Sequence, residues 1–72
     1  MIPLSMTQAG EKALVFRVNG SADMKQHLSD LGFVSGAEVE IISQRQGDII
    51  VKIKDSRLAL TKKMAEKVLV QI

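Results

Sequence analysis

The stretch Leu28-Ser-Asp-Leu31-Gly32-Phe33-Val-Ser-Gly36-Ala-Glu-Val39-Glu-Ile41 decides how the rest of the chain is read. It spells a helix ending at one glycine, a tight turn made by a second, and a strand leaving that turn. Gly32 falls just past the helix, where a left-handed backbone costs glycine little. Phe33 follows it and can fold back onto Leu28, the contact that accompanies a Schellman ending. Upstream, Ser21 suits an N-cap, and Asp23 sets a carboxylate at the positive end of the helix dipole. Met24, Leu28 and Leu31 recur at i, i+4 and i+7 as one apolar stripe. The predicted helix therefore spans about residues 22–31.

Outward from this stretch the signals are those of short strands. Lys12 to Val18 alternates, with Leu14, Phe16 and Val18 assigned inward and Val15 outward. Val34 to Ala37 is a turn built on Gly36, and Val39 and Ile41 then point inward from a strand whose Glu38 and Glu40 point out. Gln46-Gly47-Asp48 makes a hairpin into a strand with Ile49, Val51 and Ile53 inward. Lys54-Asp55-Ser56 turns the chain into Arg57–Thr61, with Leu58 and Leu60 inward. Residues 62–67 suit a short helical turn, and Val68, Val70 and Ile72 form a last strand. Ile2-Pro3-Leu4 is an edge or lead-in strand, since Pro3 cannot donate to a ladder. This order predicts a mainly β fold, a small barrel of five to six short strands with one inserted helix. Val15, Ile42, Ile50 and Leu69 fall on the outward parity, a surplus of apolar surface that marks a contact face wherever nothing covers it.

Composition narrows the rest. Seventy-two residues make one domain, read here as residues 1–72. A chain of this size buries only about 60% of its unfolded surface. No cysteine is present, so no disulfide or thiolate site can staple it, and a reducing cytoplasm suits it. No apolar run approaches the ~20 residues of a membrane span, and Met1-Ile-Pro-Leu-Ser lacks the basic start of a signal peptide. The expectation is a cytoplasmic protein without membrane insertion. Residues 52–72 concentrate Lys52, Lys54, Arg57, Lys62, Lys63 and Lys67 against Asp55 and Glu66, whereas the preceding part is acidic on balance. That asymmetry would suit an acidic partner or nucleic acid, but its simplest reading is a solvated barrel rim, since no dense basic block is present.

Chemical signatures are sparse. A phosphate-binding glycine loop, a G-x-S-x-G elbow and an H-E-x-x-H pair are all missing, so no catalytic residue and no cofactor is assigned. Asp23, His27 and Asp30 share one helical face, but a structural zinc site wants four ligands and His27 is the one histidine. They are read as a solvated polar face and not as metal ligands. Nucleic acid is not expected either. Single-strand binding needs exposed aromatics, and of the two available Phe16 is assigned inward and Phe33 to the helix cap.

The run Leu28-x-x-Leu31-Gly32-Phe33-x-x-Gly36-x-x-Val39-x-Ile41, followed by Asp48-x-x-Val51-x-Ile53, Arg57-x-Ala59-Leu60 and Ala65-x-x-Val68-x-Val70, resembles the FeoA family. The likeness covers nearly the whole chain. It implies an SH3-like β-barrel and an accessory or regulatory role in bacterial ferrous iron transport. It also implies a partner, the cytoplasmic GTP-binding domain of the transporter FeoB, and is compatible with weak homo-oligomerisation. No iron site is carried over with it. His27 stands where relatives often have a basic residue. A related domain closes repressors of the diphtheria-toxin-repressor type, but no helix-turn-helix accompanies it here. The competing resemblance is to the DNA-binding swapped hairpins of the AbrB and MazE kind, whose minimal motif has no place for the preceding helix or the later strands.

Most motif residues have a structural role. Gly32 and Gly36 set backbone geometry, Leu28, Leu31, Val39 and Leu60 pack, and Phe33 caps. Arg57 is expected to pair with Glu38 or Glu40 across strands. The residues expected to face a partner are Lys25, His27, Ile50, Arg57 and Leu69.

Overall fold

A computed structural model describes residues 1–72. The strands are β1 (Ile2–Pro3), β2 (Lys12–Val18), β3 (Glu38–Arg45), β4 (Asp48–Ile53), β5 (Ser56–Leu60) and β6 (Val68–Gln71). Helix α1 (Ala22–Asp30) joins β2 to β3, α2 (Lys62–Ala65) joins β5 to β6, and a 3₁₀ turn covers Leu4–Met6. All six strands belong to one antiparallel sheet in the order β1-β6-β2-β3-β4-β5. The sheet curls around a single core of 14 residues drawn from β2 to β6, both helices and the connecting turns. Curling leaves two edges, β1 and β5, which are not hydrogen-bonded to each other.

Helix α1 starts and stops where local chemistry says it should. The Ser21 hydroxyl accepts from the Met24 N–H at 3.1 Å, satisfying one of the donors that a helix start leaves free. At the other end the Phe33 N–H donates to the Leu28 carbonyl at 3.0 Å and the Gly32 N–H to that of Ser29 at 2.9 Å. These two bonds are the pair that defines a Schellman ending. Leu28 is fully buried and Phe33 is the largest fully buried side chain, so the cap is also a core contact. Gly32 adopts φ 109°, and a Cβ there would meet the Ile53 side chain at an ordinary 3.5 Å. The cost of Gly32→Ala is therefore conformational. We expect a loss of about 1–2 kcal/mol, read as a lower urea midpoint with unchanged slope.

After Gly36 the chain enters β3 under control of β2. The Gly36 N–H donates to the Val15 carbonyl at 2.8 Å, and the Val15 N–H donates to the Ala37 carbonyl at 2.9 Å. Val39, Ile41, Ile49, Val51, Ile53, Leu60, Val68 and Val70 all bury inward as the alternation predicts. Leu58 is half-buried against them, while Ile72 is exposed rather than inward and lies past the end of β6.

Strand β2 departs from its predicted facing. Ala13 and Val15 are buried, whereas Leu14 and Phe16 are 47% and 43% exposed. The strand enters the sheet with the opposite facing, and a bulge follows: Val15 pairs with Val70 and Arg17 with Leu69, so Phe16 is an extra residue without a β6 partner. Beyond it the parity flips, and Val18, opposite buried Val68, packs against the core as expected. A second bulge makes Ile42 the extra residue of β3 and leaves it half-buried.

Candidate interaction surfaces

Nowhere do three His, Asp or Glu side chains gather closely enough to hold a metal ion. Asp23, His27 and Asp30 lie exposed along α1, and the Asp30 carboxylate accepts from Gln26 Nε2 at 2.8 Å. Replacing His27 with alanine should leave zinc affinity unchanged in a calorimetric titration, because Asp23, His27 and Asp30 do not close into a three-ligand set.

The chemistry of the surface lies on the outer face of the sheet. Among the exposed residues of β4 and β5, Ile50, Lys52, Arg57 and Ala59 are held in two rows by the register. One row runs Ser43–Ile50–Ala59 and the other Glu40–Lys52–Arg57. An open groove of about 500 Å³ follows the first row, with Arg45 and Asp48 at its side. Asp48 is partly committed, since its Oδ1 accepts from the Lys62 N–H at 2.7 Å and so fixes the start of α2.

The second row overturns the expected ion pair of Arg57. Strand β4 separates β5 from β3, so Arg57 faces Lys52 directly, and Glu40 lies one strand further on. Glu38 is opposite Leu14 on β2. Adjacent strands are about 4.8 Å apart, which puts Arg57 and Glu40 roughly 10 Å apart at the backbone.

A second apolar surface, absent from the sequence reading, is the outer face of β2. Exposed Leu14 borders a groove of about 510 Å³ together with Met1, Lys12, Glu38, Gln71 and Ile72. The exposed ring of Phe16, assigned inward from the sequence, stands further along the same strand. No sequence signal marks this facing, since Leu14 and Phe16 are larger than their buried neighbours Ala13 and Val15. One exposed ring gives a single stacking surface and no succession of platforms for bases.

Of the residues expected to face a partner, Ile50 and Arg57 come together on the β4–β5 face. Lys25 and His27 are exposed on α1, a separate element. Leu69 stands apart on β6, half-buried and flanked in register by Pro3 and Arg17.

Residues 2–72 match the model of the FeoA domain. A curated relative, a candidate Fe(2+) transport protein A of Methanocaldococcus jannaschii, is 27% identical over 71 residues, spanning 99% of this chain and 87% of its own. Among solved structures, an iron uptake regulatory protein, FeoA, superposes with a TM-score of 0.91 at 30% identity over 97% of this chain and 95% of that one. The zinc complex of Stenotrophomonas maltophilia FeoA, described as a prokaryotic SH3 domain protein, gives a TM-score of 0.84 at 27% identity, covering 99% and 91%.

Proposed function

We propose, from the fact that this chain belongs to the FeoA family, that it is a non-enzymatic accessory protein of ferrous iron uptake. It acts in the cytoplasm by docking on the GTP-binding domain of the transporter FeoB. The observation that carries this reading is the match to the FeoA domain over residues 2–72, so that the whole fold and not a fragment of it is shared. The surface chemistry agrees. Leu14, Phe16 and Ile50 stay exposed on the outer face of the sheet. Exposed apolar residues on a domain this small suit contact with another protein. No helix is long and apolar enough to cross a membrane, which fits an accessory role beside a separate transporter.

The swapped-hairpin DNA-binding reading is not favoured. Strands β3 and β4 already pair within one chain, and β2 and β5 occupy their outer sides. That leaves no open hairpin to exchange. The test in cells is deletion of the gene followed by measurement of ferrous iron uptake. Uptake should fall several-fold and return when the chain is supplied in trans. Unchanged uptake under iron limitation would contradict the role.

A further inference from the structure

The edge strand β5 carries a feature that the family reading does not use. Its register partner is β4 alone, and no backbone hydrogen bond leaves Ser56–Leu60 for any loop or turn. The hairpin turn Lys54–Asp55 has two residues, so its closing pair, Ile53 and Ser56, exchanges both hydrogen bonds. Alternation then makes Val51–Leu58 and Ile49–Leu60 bonded pairs, and leaves Lys52–Arg57 and Ile50–Ala59 as the non-bonded ones. It follows that Arg57 and Ala59 direct their own N–H and C=O groups away from β4, into the open edge. Both residues are exposed.

The side chains on that edge are chosen oddly for an isolated sheet. Lys52 and Arg57 form a non-bonded pair, the type that brings side chains closest, and they carry the same charge. Like charges directly opposite one another destabilise a sheet by a fraction of a kcal/mol or more. Lys54 and Asp55 at the adjoining turn offset one another, so Arg57 is the cation that borders the open edge. Lysine on an edge strand discourages pairing with a second copy, since a β5–β5 contact would set these cations against themselves. The same cations attract an acidic strand.

We propose that β5 is a docking edge for an extended acidic segment of a partner protein, which adds to the sheet as a seventh strand. The backbone groups of Arg57 and Ala59 supply the ladder. Aspartate or glutamate on the outer face of the incoming strand neutralises Arg57, whose neighbour Lys52 already faces Glu40 on β3. Its inward residues are apolar and complete the cover of half-buried Leu58. This rests on the reading of the chain as a docking protein and names the kind of segment it receives.

The test is an NMR titration of the protein with a synthetic peptide alternating glutamate and valine, with a lysine–valine peptide as control. Hydrogen exchange at the Arg57 and Ala59 amides, unprotected in the free protein, should slow on adding the acidic peptide and stay fast with the basic one. Ala59→Pro removes an N–H that points outward, a substitution that edge strands tolerate, and should abolish binding with β4 pairing intact. Arg57→Glu should weaken binding about tenfold through charge reversal alone, and serves if Ala59→Pro does not fold. No slowing at these amides, perturbation confined to another face, or equal binding by both variants would overturn the proposal. So would protection of the same amides in the peptide-free protein that rises with its concentration, which would make a second copy the occupant. The FeoB cytoplasmic domain is titrated in parallel. Equal binding of that domain to wild type and Ala59→Pro would overturn the edge and leave the family reading standing. Loss of that domain's binding beside intact peptide binding would do the reverse.

Discussion

Val15→Asp is expected to unfold the domain, whereas Phe16→Asp, one residue on, leaves it folded. Val15 is 2% exposed, and its backbone holds both the Gly36 turn and the pairing with Val70. A carboxylate there has no partner and must be buried charged or protonated, at a cost of about 4–5 kcal/mol or more. A domain of this length has about 4–10 kcal/mol in total. Phe16 is the bulge residue and 43% exposed, so its replacement costs about 1 kcal/mol or less. Circular dichroism and the dispersion of amide resonances distinguish the two variants at once. The opposite result, Phe16→Asp unfolded and Val15→Asp folded, would restore the facing that simple alternation assigns to β2.

The second large effect is at the helix exit. Phe33→Ala removes the largest fully buried side chain of the protein and leaves a cavity in the core, since the Schellman bonds hold the backbone at this position in place. A loss of about 3–5 kcal/mol follows. For a domain of this size each kcal/mol lowers the melting temperature by about 4–8 °C, so thermal unfolding should shift by tens of degrees. The binding faces proposed above are far less costly to change. Ile50 and Arg57 are exposed and lie outside the core, so variants there test function with little loss of fold.

These two sites also mark what can and cannot be read from the residues. Helix α1 is legible because its start, stripe and stop depend on neighbours in sequence: Ser21 caps, Gly32 turns left and Phe33 folds back. Strands β3, β4 and β6 are legible because one parity is apolar at Val39 and Ile41, at Ile49, Val51 and Ile53, and at Val68 and Val70, while the other carries Glu38, Glu40, Lys52 and Gln71. In β2 both parities are apolar, so alternation identifies a strand without saying which face is buried, and an inserted Phe16 reverses the parity midway. Arg57 failed for a different reason. Its partner depends on strand order, and nothing local reveals that β4 stands between β5 and the glutamates of β3. The candidate site was half visible on the same grounds. Ile50 and Arg57 follow from clean alternation, whereas Leu14 and Phe16 are exposed only because of tertiary pairing.

Taken with the family assignment, the structure is that of a small barrel with exposed apolar residues on the outer face of its sheet. Its margin of stability is thin, which favours contacts built on rigid strands over contacts that need rearrangement. The most direct test is calorimetric titration of the protein into the purified cytoplasmic domain of FeoB, with and without guanine nucleotide. The account predicts saturable binding with a dissociation constant in the micromolar range, about −8 kcal/mol. No binding at micromolar concentrations in either nucleotide condition would contradict it.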